Sequence, residues 1–211
     1  TVGYLDQHAV LQKGSSIRDV LRTAFDEMYK LEAEMIGIYD KMGEATPEEL
    51  DKMMEEVGEI QDILDHNSFY TIDAKIDEVA NGLGLGSVGL DKDVTDLSGG
   101  QRTKVLLTKL LLQNPTILIL DEPTNYLDVE HIQWLTNYLK NYENAFILVS
   151  HDIPFLNDVI NVIYHVENAT LTRYTGDYYN FQAMYEMRKK QENSAFERQQ
   201  QEIDRLEDFI A

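Results

Sequence analysis

97-LSGGQRTKVLLTKLLLQNPTILILDEPTNYLD-128 is the stretch that decides the fold of this chain. Ser98 and two glycines stand directly before an amphipathic segment, Arg102 to Leu112. Serine is a favoured first cap of a helix, and glycine lets other groups approach the backbone closely. The unpaired N–H groups and the helix dipole at such a start attract anions. The stretch Ser98 to Gln101 therefore indicates either a plain helix cap or part of a phosphate site.

The same stretch contains a predicted strand that ends in two acids. Ile117 to Leu120 is a continuous apolar run, Ala145 to Val149 is another, and Val129 to Tyr142 between them has a helical pattern. Strand, helix and strand of these lengths predict a right-handed crossover and a buried parallel pair, hence an α/β fold. Ligands bind at the carboxyl ends of such strands, where Asp121 and Glu122 are found.

The two acids are of the type that phosphoryl transfer requires. In that chemistry Asp121 would hold Mg²⁺, directly or through water, and Glu122 would orient and polarise an attacking water. Asp128 is expected to cap the next helix. His151 follows the second apolar run in the string VSHD, so it is expected at the same edge of the sheet, near a γ-phosphate.

Two long helical patterns precede this stretch. Apolar residues recur in steps of four and three from Ile17 to Met42, and again from Leu50 to Leu64. Between them, Gly43 suits the end of a helix, and Thr46-Pro47-Glu48-Glu49 predicts an N-cap, a first-turn proline and a capping glutamate. We expect an antiparallel hairpin over Ile17 to Asn67, either as core or as a projecting arm.

The remaining segments are simpler. Thr1 to Gln7 is predicted to be a short strand, and residues 81–96, rich in glycine and aspartate, a loop region. Val162 to Val166 and Thr170 to Tyr174 are expected to form an edge hairpin. From Asp177 onward the chain has no proline or glycine and many charged residues, which predicts a long polar helix.

The composition limits the class of protein. The chain has 211 residues, no cysteine and a formal net charge of −20 at pH 7. The lack of cysteine excludes disulfides, thiolate zinc sites and a cysteine nucleophile. The apolar runs are too short to span a bilayer and the N-terminus has no signal features, so we expect a soluble, cytoplasmic protein. The net charge alone argues against a protein that coats nucleic acid.

The strings LSGGQ, ILILDEPTNYLD and VSHD at these spacings resemble those of the ATP-binding cassette (ABC) ATPases. The charged hairpin, the ending TNYLD, the segment YTGDYYNF and the final QQQEIDRLEDFIA resemble the ABC-F group, soluble tandem-cassette proteins that act on ribosomes. The resemblance covers essentially the entire chain. It implies a partial P-loop NTPase cassette: a parallel-sheet core, a helical subdomain, an antiparallel helical hairpin arm and a long C-terminal linker helix.

The resemblance also implies a division of the chain. Residues 1–16 correspond to the end of a core segment with the glutamine loop, and residues 17–80 to the arm. Residues 81–176 correspond to the cassette part with the signature loop, the Walker B acids, the D-loop and the switch histidine. Residues 177–211 correspond to the start of the linker between two cassettes.

ATP and Mg²⁺ are the cofactors that the resemblance implies. It gives catalytic roles to Glu122 and His151, and metal contacts to Asp121 and Gln7. The nucleotide contacts it implies are Gln7 of the glutamine loop, Ser98, Gly99, Gly100 and Gln101 of the signature loop, and Asn125 and Asp128 of the D-loop.

The phosphate loop G-x-x-x-x-G-K-[ST] does not occur in the sequence. Members of the resembled family lay two cassettes head to tail, so that each ATP is held by the phosphate loop of one and the signature loop of the other. The chain is therefore expected to be a fragment of a first cassette and inactive alone. Its implied partners are the second cassette of the same polypeptide and the ribosome.

Two features depart from the family pattern. Ile153-Pro154 stands where the family commonly has arginine. Residues 17–80 contain 18 acids and 6 bases, and this excess of negative charge is unfavourable for an arm expected to touch RNA. Contacts could come from Arg18, Arg22 and Lys30, or from basic ribosomal proteins. Two other functions stay open: the nucleotide-binding subunit of a membrane transporter, and a non-enzymatic interaction module built on the hairpin.

Overall fold

The computed structural model describes residues 1–5 and 11–210. The chain forms two compact units, Thr1–Val149 and Ser150–Ala211. The boundary between these units falls inside the predicted segment 81–176. The elements of the first unit, in chain order, are β1 (Val2–Tyr4), α1 (Ile17–Arg22), α2 (Asp26–Met42), α3 (Pro47–His66), α4 (Ile72–Gly82), α5 (Gly99–Leu112), β2 (Ile117–Asp121), α6 (Val129–Lys140) and β3 (Ala145–Val149).

A three-stranded parallel sheet forms the base of the first unit. Its strand order is β1-β2-β3, and Gly3, Leu118 and Phe146 lie side by side in register. The predicted parallel pair with a helix between its strands is confirmed. The register continues to Asp121 and Val149, so the carboxyl ends of β2 and β3 are level.

The predicted burial of this parallel pair is found on one face of the sheet and not on the other. Leu118 and Leu120 are buried, whereas Ile147 and Val149 on the opposite face are 56% and 54% exposed. Val2 and Tyr4 of β1 are also exposed. Continuous apolar strands need cover on both faces of a sheet. The described residues cover only the face of Leu118 and Leu120.

Helix α5 has more buried residues than any other helix of this unit. Val105 and Leu111 have no exposed surface, and α1 and α4 both pack against this helix. Its Leu110 lies so close to Gly3 of β1 that a side chain at position 3 would be 2.7 Å from it. The glycine therefore lets the edge strand approach the helix.

Two tyrosines of α6 connect that helix to the segment between α5 and β2. The Tyr138 hydroxyl donates to the Leu111 carbonyl at 3.0 Å, and the Tyr142 hydroxyl donates to the Pro115 carbonyl at 2.6 Å. Burial raises the pKa of Tyr138 to about 12. The Leu111 carbonyl also accepts from the Asn114 N–H at 3.1 Å, and the Pro115 carbonyl also accepts from the Asn144 side-chain amide at 3.3 Å, so the tyrosines add a second donor to each.

The predicted hairpin forms from α2 and α3, which pack along each other. Its turn begins at Gly43, and α3 starts at Pro47 with the predicted capping box: the Thr46 backbone N–H and hydroxyl both donate to the Glu49 carboxylate, at 2.9 Å and 2.7 Å. The seam is buried at Met35 and Ile38 of α2.

The first predicted helix, Ile17 to Met42, is not continuous. A 3₁₀ turn at Thr23–Phe25 separates α1 from α2. The Thr23 hydroxyl donates to the Val20 carbonyl at 2.6 Å, and such side-chain bonds compete with the helical backbone pattern. The break separates α1, which packs on α4 and α5, from the hairpin.

The last residue of α4, Gly82, and the following Gly84 pack against α6. A Cβ atom at Gly82 would lie 2.1 Å from the Trp134 ring, and one at Gly84 would lie 2.3 Å from His131. Gly84 also has a φ of +80°, which favours glycine. These glycines therefore have a packing role in the fold.

The second unit contains α7 (Ile153–Val159), β4 (Val162–Glu167), β5 (Thr170–Thr175) and α8 (Tyr178–Ile210). β4 and β5 form the predicted antiparallel hairpin. Its two-residue turn has positive φ at both Asn168 and Ala169, as in the hairpin turns that match strand twist. The predicted long polar helix is α8, 33 residues long.

Helix α8 is attached to β4 near its first third. Glu167 pairs with Lys189 at 2.9 Å and accepts from the Tyr185 hydroxyl at 3.0 Å. The hydrogen bonds from Lys189 and Tyr185 lower the pKa of Glu167 below its ordinary value. Because all of these groups are partly exposed, their contribution to stability is small.

We expect Gly82→Ala to destabilise the first unit by about 1–3 kcal/mol, because the added methyl group has no room beside Trp134. Gly58→Ala is the matched control. Gly58 lies within α3 with no atom near its added Cβ, so this change should stabilise by about 0.5–1 kcal/mol. The measurement is urea unfolding followed by circular dichroism. Equal midpoints for both variants would contradict the packing role of Gly82.

Candidate functional site

The first turn of α5 is capped, and the space in front of its glycines is open to a ligand. Ser98 Oγ accepts from the Gln101 N–H at 3.3 Å, and Gln101 Oε1 accepts from the Ser98 N–H at 3.1 Å. This reciprocal pair is a capping box. A Cβ atom at Gly99 would meet nothing within 4 Å. The predicted N-cap role of Ser98 is thus confirmed, and space remains in front of the glycine backbone.

The N–H groups of Gly99 and Gly100 belong to the first turn of α5. The first N–H groups of a helix have no carbonyl within the helix to accept from them. Ser98 and Gly99 are exposed, so solvent or a ligand can reach this turn. The helix start can therefore present N–H donors and the positive end of its dipole to an anion.

Asp121 and Glu122 occupy the carboxyl end of β2. Asp121 is the last residue of the strand and is exposed. The Glu122 N–H donates to the Val149 carbonyl at 2.8 Å, which fixes the start of the next loop against β3. Asp121 can therefore present its carboxylate at the strand end while Glu122 is held by its backbone.

Glu122 has an unusual backbone conformation. Its φ is +48°, in the left-handed region that side chains with a Cβ atom rarely adopt. Such strain costs on the order of 1–3 kcal/mol and persists where the surroundings enforce it. The bond to Val149 on one side and the buried Pro123 and Thr124 on the other enforce it here.

The loop from Glu122 to Asp128 ends at the cap of α6. Asp128 Oδ1 accepts from the His131 N–H at 3.3 Å and lies 3.5 Å from His131 Nε2. The predicted capping role of Asp128 is confirmed. Asn125 is exposed in the middle of the loop, and its N–H donates to the Glu122 carbonyl at 3.3 Å.

Tyr126 is the residue that joins the two predicted half-sites. A Cβ atom at Gly100 would lie 3.1 Å from the ring of Tyr126, so the ring lies beside the first turn of α5. The structure thereby brings the Ser98–Gln101 loop next to the loop that follows Glu122. The sequence contained no signal for this contact beyond the position of Tyr126 within TNYLD.

The donor set fits Mg²⁺ only together with a phosphate ligand. Mg²⁺ keeps several waters and takes one or two carboxylates with substrate phosphates. Within the described part of the chain, no group of three His, Cys, Asp or Glu could hold a metal. The exposed Asp121 carboxylate suits shared coordination and does not suit a site made of protein ligands alone.

The placement of two predicted site residues relative to this cluster stays a prediction. Gln7 lies outside the described residues. His151 stands two residues after β3, in the second unit, at the start of the turn that Asp152 closes by capping α7. Asp152 Oδ1 accepts from the Phe155 N–H at 3.2 Å, and Ile153-Pro154 forms the first turn of α7. The role of His151 stays a prediction.

Arg18 and Arg22, two of the bases considered for RNA contact, have partners within the chain. Arg18 donates to Asp77 at 2.8 Å, and Arg22 donates to both oxygens of Asp73 at 3.0 Å and 2.8 Å. The Arg22 guanidinium lowers the pKa of Asp73 below its ordinary value. These pairs tie α1 to α4 and reduce the positive charge available to an outside ligand.

The sequence matches known families along most of its length. Residues 1–125 match the ABC transporter family, and residues 164–211 match a second ABC transporter extension family. A solved structure described as the ATP-binding subunit of an ABC transporter superimposes with a TM-score of 0.52 at 16% identity, covering 82% of this chain and 58% of that one. That likeness concerns the fold alone.

Three relatives show where the similarity extends. The uncharacterized ABC transporter ATP-binding protein YfmM of Bacillus subtilis is 65% identical over 100% of this chain and 40% of its own length. The energy-dependent translational throttle protein EttA of Mycobacterium tuberculosis is 34% identical over 84% of this chain and 31% of its own length. ABC transporter F family member 2 of Dictyostelium discoideum is 34% identical over 99% of this chain and 34% of its own length.

The chain thus spans 40% or less of the length of these relatives. No helix in residues 1–5 and 11–210 is both long and apolar enough to cross a membrane.

We expect Ser98→Ala to destabilise the chain by about 0.5–2 kcal/mol, because alanine cannot accept the bond from Gln101. Ser98→Asp should keep the stability, since aspartate caps a helix as well as serine does. Urea unfolding of both variants is the measurement. Equal loss in both, or no loss in either, would contradict the capping role seen in the structure.

Proposed function

Because the chain belongs to the ATP-binding cassette family, and within it to the ABC-F group, we propose that it is part of a cytoplasmic ATPase that acts on the ribosome. In this proposal ATP binds between two cassettes of one polypeptide. The present chain supplies a signature loop, the Walker B acids, an arm and the start of a linker. The lengths of the relatives support a second cassette elsewhere in the polypeptide.

The observation that carries the proposal is the contact between Tyr126 and the first turn of α5. It places an anion-attracting helix start beside the loop that follows the two strand-end acids. In a head-to-tail pair of cassettes, Asp121 and Glu122 would serve the ATP on this cassette, and Ser98 to Gln101 would serve the ATP on the other. Tyr126 would lie between the two sites.

Each group then has a role that its position allows. The Ser98–Gln101 loop would contact the terminal phosphates through the first N–H groups of α5. Asp121 would hold Mg²⁺, with Gln7 as a further contact, and the ion would offset charge on the phosphates. Glu122 would orient the attacking water and accept its proton. His151 would contact the γ-phosphate, and Asn125 and Asp128 would position the loop between the cassettes.

Two facts support the ribosome as the target. The relative from Mycobacterium tuberculosis is named an energy-dependent translational throttle protein. The hairpin of α2 and α3 and the 33-residue helix α8 are elements by which a cassette could reach a large partner. A transporter subunit would instead use its helical region to grip a membrane protein, and the tests below distinguish the two functions.

We expect Glu122→Gln in the full-length polypeptide to keep ATP binding and to slow hydrolysis by about 10²–10⁴-fold, because a positioned general base is lost. Phosphate release with Mg²⁺ and filter binding of labelled ATP are the measurements. Ser98→Asp is the companion variant: it keeps the cap but places negative charge before the phosphates, so it should weaken ATP-driven closure.

The 211-residue chain alone serves as the reference. It has no phosphate loop in its sequence, so its phosphate release should equal background. Turnover by this chain that Glu122→Gln abolishes would contradict the shared site. Hydrolysis by the full-length Glu122→Gln variant at nearly the parental rate would contradict the role of Glu122.

We expect the ATP-bound full-length Glu122→Gln variant to sediment with purified 70S ribosomes. Replacing the hairpin tip, Met42 to Glu49, by a short glycine-serine linker should reduce this co-sedimentation, since the buried seam would remain while the tip is lost. The ADP-bound protein is the control. Absence of ribosome binding together with recovery in membranes would favour the transporter function.

A further inference from the structure

Gly100 of the candidate site is covered by an aromatic ring, whereas its neighbour Gly99 is not. A Cβ atom at Gly100 would lie 3.1 Å from Cδ1 and 3.6 Å from Cγ of Tyr126. Carbon atoms pack best at about 3.5–4.0 Å, so a methyl group there would have to displace the ring or the helix turn. Among the described residues, no atom lies within 4 Å of a Cβ atom at Gly99. The two glycines therefore leave room for different groups.

The backbone conformation of the two glycines does not explain why they are glycines. Gly99 and Gly100 are the first two residues of α5, and neither has a positive φ. Any residue can adopt helical dihedral angles, and alanine does so more favourably than glycine. Within the described chain, the requirement for glycine at position 100 therefore comes from the ring of Tyr126, and position 99 has no such requirement.

Tyr126 is held in place by the loop that carries it. The Asn125 N–H donates to the Glu122 carbonyl at 3.3 Å, and the Leu127 N–H donates to the Thr124 carbonyl at 3.0 Å. Tyr126 lies inside the second of these turns, which begins at the buried Thr124. Tyr126 is itself 52% exposed, so its ring does not fill the hydrophobic core. The loop instead holds the ring against the first turn of α5.

The first turn of α5 is closed by few hydrogen bonds. Ser98 and Gln101 form the capping box, and the Arg102 N–H donates to the Ser98 carbonyl at 2.9 Å. Glycine loses more backbone freedom on folding than any other residue, so two successive glycines favour opening of the turn. A ring packed on Gly100 restricts this opening. Donor groups that are ordered before a ligand arrives bind it at a lower entropic cost.

We propose that Tyr126 is a positioning residue for the first turn of α5. Its ring reserves position 100 for glycine and holds the N–H groups of Gly99 and Gly100 in the orientation that the turn presents to an anion. The inference rests on the proposed function, in which this turn contacts the terminal phosphates of ATP. Tyr126 acts through Gly100 and not by touching the nucleotide. Because ring carbon atoms make the contact, phenylalanine at position 126 should preserve it.

Hydrogen–deuterium exchange of the full-length polypeptide without nucleotide tests whether the ring holds the turn. The reporters are the N–H groups of Ser98, Gln101 and Arg102, whose bonds close the first turn. We expect Tyr126→Ala to speed exchange in a peptide covering these residues by about fivefold or more, and Tyr126→Phe to leave it within about twofold. Exchange as slow in the alanine variant as in the unsubstituted polypeptide would overturn the proposal.

A double-mutant cycle tests which group requires glycine at position 100. In the full-length polypeptide, we expect Gly100→Ala to lower kcat/KM for ATP hydrolysis by about tenfold or more, because the methyl group displaces the turn from the ring. Adding Tyr126→Ala makes room for this methyl group, so the double variant should be at least about threefold more active than Gly100→Ala. A loss that Tyr126→Ala does not relieve would show that the ligand requires the glycine, and the proposal would be wrong.

Gly99→Ala is the matched control for this cycle. Its methyl group meets no described residue and enters the space left open to a ligand. We expect Gly99→Ala to lower kcat/KM as well, and the addition of Tyr126→Ala to give no relief. Equal relief of both glycine variants would mean that Tyr126→Ala does not act through position 100, which contradicts the proposal. Tyr126→Phe alone should keep kcat/KM within about twofold, and thermal unfolding followed by circular dichroism confirms that every variant is folded.

The outcomes separate this inference from the proposed function. If the unsubstituted polypeptide hydrolyses no ATP, the proposed function fails and the role of Tyr126 toward phosphates fails with it, while the exchange data still decide whether the ring holds the turn. If the polypeptide hydrolyses ATP and Tyr126→Ala changes neither exchange nor kcat/KM, the proposed function stands and the positioning role of Tyr126 is wrong.

Discussion

The burial of α5 is the constraint on which the first unit depends. Leu111 on this helix is fully buried, and Leu110 touches the edge strand at Gly3. Because α1 and α4 pack on the same helix, its position also sets where the hairpin leaves the core. The Ser98 capping box fixes the first turn of α5, so the helix that organises the core also presents the candidate anion site. Structural stability and a potential function share one element.

The acids at the end of β2 are held by a different kind of constraint. Parallel pairing aligns Asp121 with Val149, and the Glu122 N–H then bonds to the Val149 carbonyl. The resulting left-handed conformation at Glu122 is unfavourable for a residue with a side chain. The strain persists because the bond to Val149 and the buried Pro123 and Thr124 hold the backbone of Glu122 on both sides.

Charge is distributed on the chain in a way that its total does not reveal. The net charge of −20 gives no indication that Arg18 and Arg22 are paired with acids of α4. Both pairs tie α1 to α4, so these two arginines serve the packing of the core helices.

The sequence alone determined the local elements, because caps and periodicity are local physics. The capping boxes at Thr46 and Ser98, the Asp128 cap, the parallel strand pair and the long polar helix were all predictable from residues close to one another in the chain. The residue types of the strand-end acids likewise indicated phosphate chemistry.

Only the tertiary structure decided the features that involve distant residues. The contact of Tyr126 with Gly100 and the packing of Gly82 on Trp134 join segments far apart in sequence, so no local pattern encodes them. The break at Thr23–Phe25 separates a core helix from the hairpin, although the apolar period runs through it unchanged. The exposed face of the sheet could not be predicted either, because the sequence of an apolar strand is the same whether other elements pack on one of its faces or on both. Burial depends on which other elements pack on a strand, and the residues of the strand alone do not determine that.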